Sequence, residues 1–261
     1  MKKKFLLPGI ACLLLLIVSC RKFCDIPGLI PGRNDKDFIL KEMDYQGTTY
    51  RFYFNQQKQR LDSIGTLTGS VRGVFRLLRT GNRLDSVYYT SDALTWVNKD
   101  ITYDNAGNMT LFRHHPIRPG FATSPTILTH ADGHLKSITY IDPLLSYWDD
   151  FDTLYYNGNN DVYRWVTRVP RSNWTDVRLF SFDNRHNPLY YVDDLIIVFS
   201  EMPQLRECFL SQHNSTAMDF PAREVHLDYQ NTYDKKNRLV KKVFTQWGYS
   251  KPDTLVFRYL K

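Results

Sequence analysis

The 261-residue chain predicts an all-β protein: an antiparallel meander of repeated hairpins that forms a curved sheet or incomplete barrel, with a short helical plug near residues 193–212. Three observations predict it. A turn signature recurs about every 25 residues, the stretches between turns read as strands, and aromatics make up 15% of the chain, a composition that suits pleated, half-buried surfaces.

The N-terminus is taken first. Met1-Lys-Lys-Lys4 is a basic n-region, Phe5 to Val18 a short apolar run, and Ile17-Val-Ser-Cys20 has the aliphatic–tolerant–small–cysteine order of a bacterial lipobox. The run is 14 residues long and contains Pro8-Gly9, whereas a bilayer-spanning helix needs about 20 residues. The reading is therefore a lipoprotein signal peptide over 1–19, lipidation of Cys20, a flexible tether over 20–37 with Pro27-Gly28 and Pro31-Gly32, and a single β domain over 38–261. Several acyl chains on one cysteine hold far more firmly than a single one. Arg21, where Asp would favour inner-membrane retention, points to the outer membrane. Periplasmic and surface-facing orientations both stay open.

Lys2, Lys3 and Lys4 belong to the leader, so the mature chain carries 31 Lys+Arg against 27 Asp+Glu. That excess is modest and scattered along the strands, unlike the basic stripe of a nucleic-acid binder. Cys24 and Cys208 remain in an oxidising compartment, where either a disulfide or two separate thiols is compatible with the sequence.

The repeat organises the rest. Tyr103-Asp-Asn-Ala-Gly-Asn-Met109, Tyr156-Asn-Gly-Asn-Asn-Asp-Val162, Phe182-Asp-Asn-Arg-His-Asn-Pro-Leu189 and Tyr233-Asp-Lys-Lys-Asn-Arg-Leu239 align, with a weaker copy at 54–61 and shortened ones at 79–84 and 130–135. The aromatic closes a strand, the Asp or Asn side chain bonds to the backbone ahead, and Gly107, Asn160 and Asn237 stand where the turn needs a positive φ. The next apolar residue opens the return strand. About 14–16 strands follow from this period. Residues 114–126, with Pro116, Pro119 and Pro125, read as a long loop. Leu195, Val198, Phe199, Met202, Leu205 and Phe209 recur at helical spacing and give the plug, either fixed or a lid over a cavity.

The turn pattern resembles the YD, or RHS-type, hairpin repeat, although only two copies keep Tyr-Asp. The lipobox, the run Phe182-Asp-Asn…Asn187-Pro-Leu-Tyr190 and the turn Leu210-Ser-Gln-His-Asn214 resemble a family of uncharacterised Gram-negative lipoproteins with a porin-like β-fold. That resemblance implies fold and location and supplies no catalytic residue.

Chemistry-bearing patterns are sparse. The chain lacks a Gly-rich phosphate loop, a His-Glu-x-x-His and a Gly-x-Ser-x-Gly, and no cofactor or metal site is expected. His114 and His115 should point in opposite directions on an extended chain; His130 and His134 flank a turn. Asp149, Asp150 and Asp152 could supply the carboxylate pair of a hydrolase acting on envelope polymers, or form a solvated acidic turn. Tyr147, Trp148, Trp165 and Trp174 could stack on sugar rings, or fill the core. The sequence-level reading is a non-catalytic binding or scaffolding module for a glycan or an envelope protein, tethered by lipid to the outer membrane. Charged residues within the strands and the ending Phe257-Arg-Tyr-Leu-Lys261 argue against a barrel that spans the membrane.

Overall fold

The computed structural model describes residues 39–55, 60–92, 94–116, 123–141, 150–190, 194–199, 205, 208–245 and 252–259. The leader, Cys20, Cys24, the tether, Tyr147, Trp148 and Asp149 lie outside them. Seventeen strands are present: β1 (Leu40–Tyr45), β2 (Thr48–Asn55), β3 (Arg60–Thr68), β4 (Val71–Thr80), β5 (Arg83–Ser91), β6 (Thr95–Tyr103), β7 (Met109–Pro116), β8 (Ser124–Ala131), β9 (His134–Tyr140), β10 (Asp150–Tyr156), β11 (Val162–Val169), β12 (Trp174–His186), β13 (His213–Phe220), β14 (Val225–Asp228), β15 (Gln230–Tyr233), β16 (Leu239–Thr245) and β17 (Pro252–Tyr259).

They form one antiparallel sheet in which β1 pairs with both β2 and β17, so the sheet returns on itself. Closure goes further than the expected incomplete barrel, and it removes the exposed strand edges that would template aggregation. One stave is thinner than the rest. β14 and β15 are separated only by Tyr229; β14 pairs with β13 and β15 with β16. This seam leaves the barrel nearly, but not evenly, closed.

Alternation along each strand sets the two faces. On β4, Phe75 and Leu77 point inward and Arg72 and Arg76 outward; on β1, Met43 and Tyr45 are buried while Glu42 and Asp44 are only half-buried. A round barrel of this strand number would leave an aqueous lumen. Here the inward Met43, Phe52, Ile64, Phe75, Phe112, Ile138 and Leu255 are all buried in one apolar cluster. Within the segment inserted between β12 and β13, Leu195–Val198 makes a single helical turn, α1, and all four of its residues are buried. Phe199 comes next at 0% exposure, its ring 5.5 Å from Tyr50, 6.5 Å from Phe75 and 6.4 Å from Phe209. The helical spacing read from the sequence thus marks a plug, with helix at Leu195–Val198 and again at Leu205, Cys208 and Phe209 among the described residues.

Hairpins at the two ends differ in kind. At what we term the lower end, three turns share one mechanism. Asp104 and Asp234 accept backbone N–H bonds from Asn108 (2.9 Å) and from Arg238 (3.0 Å) and Lys236 (2.8 Å). Asn157 accepts from Asn159 and Asp161. Gly107, Asn160 and Asn237 take the left-handed conformation as the turn requires. The fourth aligned copy does not make a hairpin. β12 runs through it to His186, with no left-handed residue between 182 and 187. Asp183 bonds to the N–H of Arg185 (2.9 Å) and shifts the register, and the chain then leaves the wall at Asn187 to build the plug. The Pro-rich loop expected over 114–126 is also shorter: β7 extends to Pro116 and β8 begins at Ser124, because the proline at 125 sits within a strand without losing the fold's pairing of His114 to Ser124.

Candidate functional site

The upper end carries a polar sector on the inward face of β10 to β12. Asp150 and Asp152 lie on one face of β10, and Asp152 faces Thr167 of β11, which in turn faces Asp176 of β12. Thr167 donates its hydroxyl to Asp152 at 2.6 Å. One register step lower, Arg178 lies opposite Trp165 with its guanidinium 5.5 Å from the ring centre. Arg178 also reaches Asp176 (3.5 Å) and the Thr167 hydroxyl (3.4 Å).

Two matching turns frame this sector. Pro170–Ser172 and Pro221–Arg223 are single 3-10 turns, each led by proline and closed by a left-handed residue, Asn173 (φ 51°) and Glu224 (φ 54°). Proline supplies the fixed φ and needs no N–H there. The second turn brings Arg223 to Asp176, 3.5 Å away, with its guanidinium 5.6 Å from the centre of the Trp174 ring. Trp174 shares the parity of Asp176 and Arg178 on β12 and sits at the rim, 40% exposed. Asp176 is buried between the two arginines and contacts both; the side chains of Arg178 and Arg223 are 24% and 25% exposed.

The sequence-predicted residues sort as follows. Trp174 is at the rim. Trp165 is 2% exposed under Arg178 and so takes the core-filling alternative, not the stacking one; its indole nitrogen is buried with no acceptor among the described residues. Asp152 is a buried acceptor for Thr167 and corrects the reading of a solvated acidic turn. Thr167, Asp176, Arg178 and Arg223 were missed. The signal was present as polar residues at every second position, Trp174-x-Asp176-x-Arg178, on the face that alternation assigns to the interior.

Other titratable groups serve the wall. His114 faces inward to Asn98 (2.9 Å) and His115 faces Asp100 (2.9 Å), the opposed directions expected of neighbours on a strand. His134 stacks on Tyr156 at 4.6 Å, and burial holds both His130 and His134 below the ordinary imidazole range, so these are not the solvated turn residues expected. Asp161 accepts the His213 N–H (2.7 Å) and pairs with its Nδ1 (2.9 Å), fastening the return from the plug to the β10–β11 turn. Arg79 forms an ion pair with Asp194 at the start of the plug, and burial nevertheless pushes the Asp194 carboxyl up. Lys242 is buried beside the thin seam, bonded to the Ser215 carbonyl (3.1 Å) and hydroxyl and 4.5 Å from the Tyr229 ring centre. The void next to it, also lined by Asn187, Cys208 and Asn214, is about 10 Å³, room for one water. Cys208 is a buried thiol. Among the described residues, no three His, Cys, Asp or Glu side chains are placed to hold a metal ion.

No family model matches the chain, and no curated protein matches it. Its fold does match solved structures. A porin-like protein from Bacteroides vulgatus is 7% identical, with 85% of this chain and 98% of that one covered at a TM-score of 0.43. A porin-like protein from Bacteroides uniformis is 13% identical, with 85% of this chain and 97% of that one covered at a TM-score of 0.57, and this chain shares its barrel fold.

Proposed function

We propose that the chain is a non-catalytic binding or scaffolding protein of a Gram-negative cell envelope, lipid-anchored to the outer membrane through Cys20. The observation that carries this reading is the distribution of polarity across the wall. A membrane channel presents an apolar band outward and a wet lumen inward. Here Lys41, Arg51, Arg72, Arg76, Lys99 and Arg168 are exposed on the outer face, while the interior is filled by apolar side chains and the plug. Such a barrel suits water beside a membrane, with the lipids on Cys20 as its hold. The basic leader, the lipobox and Arg21 support the anchor, and the fold shared with a protein described as porin-like supports an envelope setting.

The rival is a hydrolase using Asp150 and Asp152. The burial of Asp152 and its bond to Thr167 favour a structural role over a reacting one.

Two measurements test the proposal. Cells fed an alkyne fatty acid should label the wild-type protein and not Cys20→Ala, which should move to the soluble fraction. Purified protein added to planar bilayers should give no stepwise conductance. Label retained on the alanine variant would remove the anchor, and discrete channel openings would remove the solid-barrel reading.

A further inference from the structure

We propose that the upper mouth binds a neutral sugar ring, stacked on Trp174 and hydrogen-bonded by Arg178 and Arg223. The inference deepens the binding-module reading and rests on it.

The geometry leads there in three steps. First, Trp174 is a large aromatic left 40% exposed on the inward parity of β12, at the rim and not on the outer wall. Its ring offers a flat apolar face beside donors, which is the combination that the C–H face and the hydroxyls of a pyranose complement. Second, the donors are held in place. Asp176 is buried and touches Arg178 and Arg223 at 3.5 Å each, so two guanidinium forks converge on one acceptor. A pre-oriented fork loses less freedom on binding than a mobile side chain. Third, charge selects the ligand class. Among the described residues, Asp150, Asp152 and Asp176 stand against Arg178 and Arg223 on this inward surface, three carboxylates to two guanidiniums. These five groups together give an anion no net positive field. A neutral polyol finds donors from the arginines at the rim beside Trp174.

The test uses the full chain in detergent micelles, immobilised neutral polysaccharides (mannan, laminarin and galactan) and polygalacturonate as the anionic probe. At least one neutral polymer should bind, with an affinity that changes little with added salt. Trp174→Ala should weaken it about tenfold, and Trp174→Phe should restore most of the loss. Arg178→Lys, which keeps the charge and removes the fork, should also weaken it about tenfold. Wild-type strand content by circular dichroism shows that each variant is folded. Binding to none of the neutral polymers, binding to polygalacturonate alone with steep salt dependence, or neutral binding unmoved by Trp174→Ala would each overturn the inference. The fatty-acid labelling and conductance measurements are independent of this outcome, so failure here leaves the anchor and the solid barrel standing, and failure there leaves the sugar site standing.

Discussion

The two halves of the barrel solve the same packing problem in different ways. From β2 to β9 the interior is almost wholly apolar, and the buried polar residues are Ser86, Asn98 and Thr126. From β10 onward the described residues add nine more: Asp152, Asp161, Thr167, Asp176, Asn187, Ser211, Asn214, Ser215 and Lys242. The first half is stitched by backbone and closed by tight turns such as Gln46-Gly47 and Asp132-Gly133, both with positive φ at both positions. The second half has the plug insertion, the split stave and the register shifts of β12, and side chains supply what the ladder lacks. Near the seam, Asp183 accepts from the Tyr233 hydroxyl, Asn231 donates to the Ser215 carbonyl (3.1 Å), and Lys242 donates to the same carbonyl. The difference teaches where a closed sheet can host buried polar groups: around the plug insertion and the split stave, and at the mouth of β10 to β12, where the Pro221 turn brings Arg223 to Asp176.

The comparison breaks first at one residue in each half. Phe112 of β7 is fully buried in the apolar half, and Phe112→Ala should cost about 3–5 kcal/mol of unfolding free energy, lost burial plus an unfilled cavity. Lys242→Met should not destabilise. Removing a buried ammonium relieves a desolvation cost of several kcal/mol, while the Ser215 carbonyl and hydroxyl lose a donor worth about 1–3 kcal/mol. Urea midpoints of both variants against wild type decide the matter. A loss at Lys242 as large as that at Phe112 would mean that the polar half is held by its charges and not merely tolerant of them.

Hairpins were legible in both halves, at Asp104 in the first and at Asn157 and Asp234 in the second. Local chemistry writes these turns: an aromatic, an Asx residue and a glycine or asparagine predict a reversal because the bonds they make lie within five residues. The same letters at Phe182-Asp-Asn failed, since an Asx bond bends a strand as readily as it reverses one, and the path of the chain beyond the bend depends on where the plug must enter. Closure was not legible, because pairing of Leu40 to Tyr259 joins the two ends of the domain and leaves no local trace. The mouth was half legible. Trp174, Asp150 and Asp152 drew notice as unusual letters, but Arg223 joins them only because the Pro221 turn folds over β12.

The next largest effect sharpens the turn argument. Asp104→Ala and Asp234→Ala each remove a carboxylate that holds the backbone of its own hairpin, and each should lower the urea midpoint slightly. Asp183→Ala should differ in kind, because its carboxylate also receives Tyr233 across the seam and its loss opens a polar contact between strands. Hydrogen exchange resolves the two cases. Faster exchange confined to residues 104–108 or 234–238 is expected for the first pair, and faster exchange at β13 and β15 for the third. Local effects alone at Asp183 would deny the seam its side-chain stitching.

The smallest effect concerns acid. Burial lowers His130 and His134 below the ordinary value of 6.5, and Lys136 adds to the shift at His134. The unfolded chain therefore takes up protons at these positions before the folded one does. Their contribution to stability is complete above pH 6.5 and is lost as pH falls below it through the lower folded values. His226 has the opposite sign. Its hydrogen bonds to Asp219 and Asp228 raise its folded value, so its contribution is present below 6.5 and is lost as pH rises through that raised value. His130→Phe should therefore flatten the fall in stability on acidification from neutrality, since the unfolded chain then has no imidazole at this position to take up a proton ahead of the folded one. His226→Gln should steepen the same fall, by less, because that side chain is exposed and screened. Urea midpoints taken stepwise below neutral pH give both slopes. Parallel slopes for the two variants would mean that interior and outer-wall histidines titrate alike, and that the wall does not separate a dry interior from solvent.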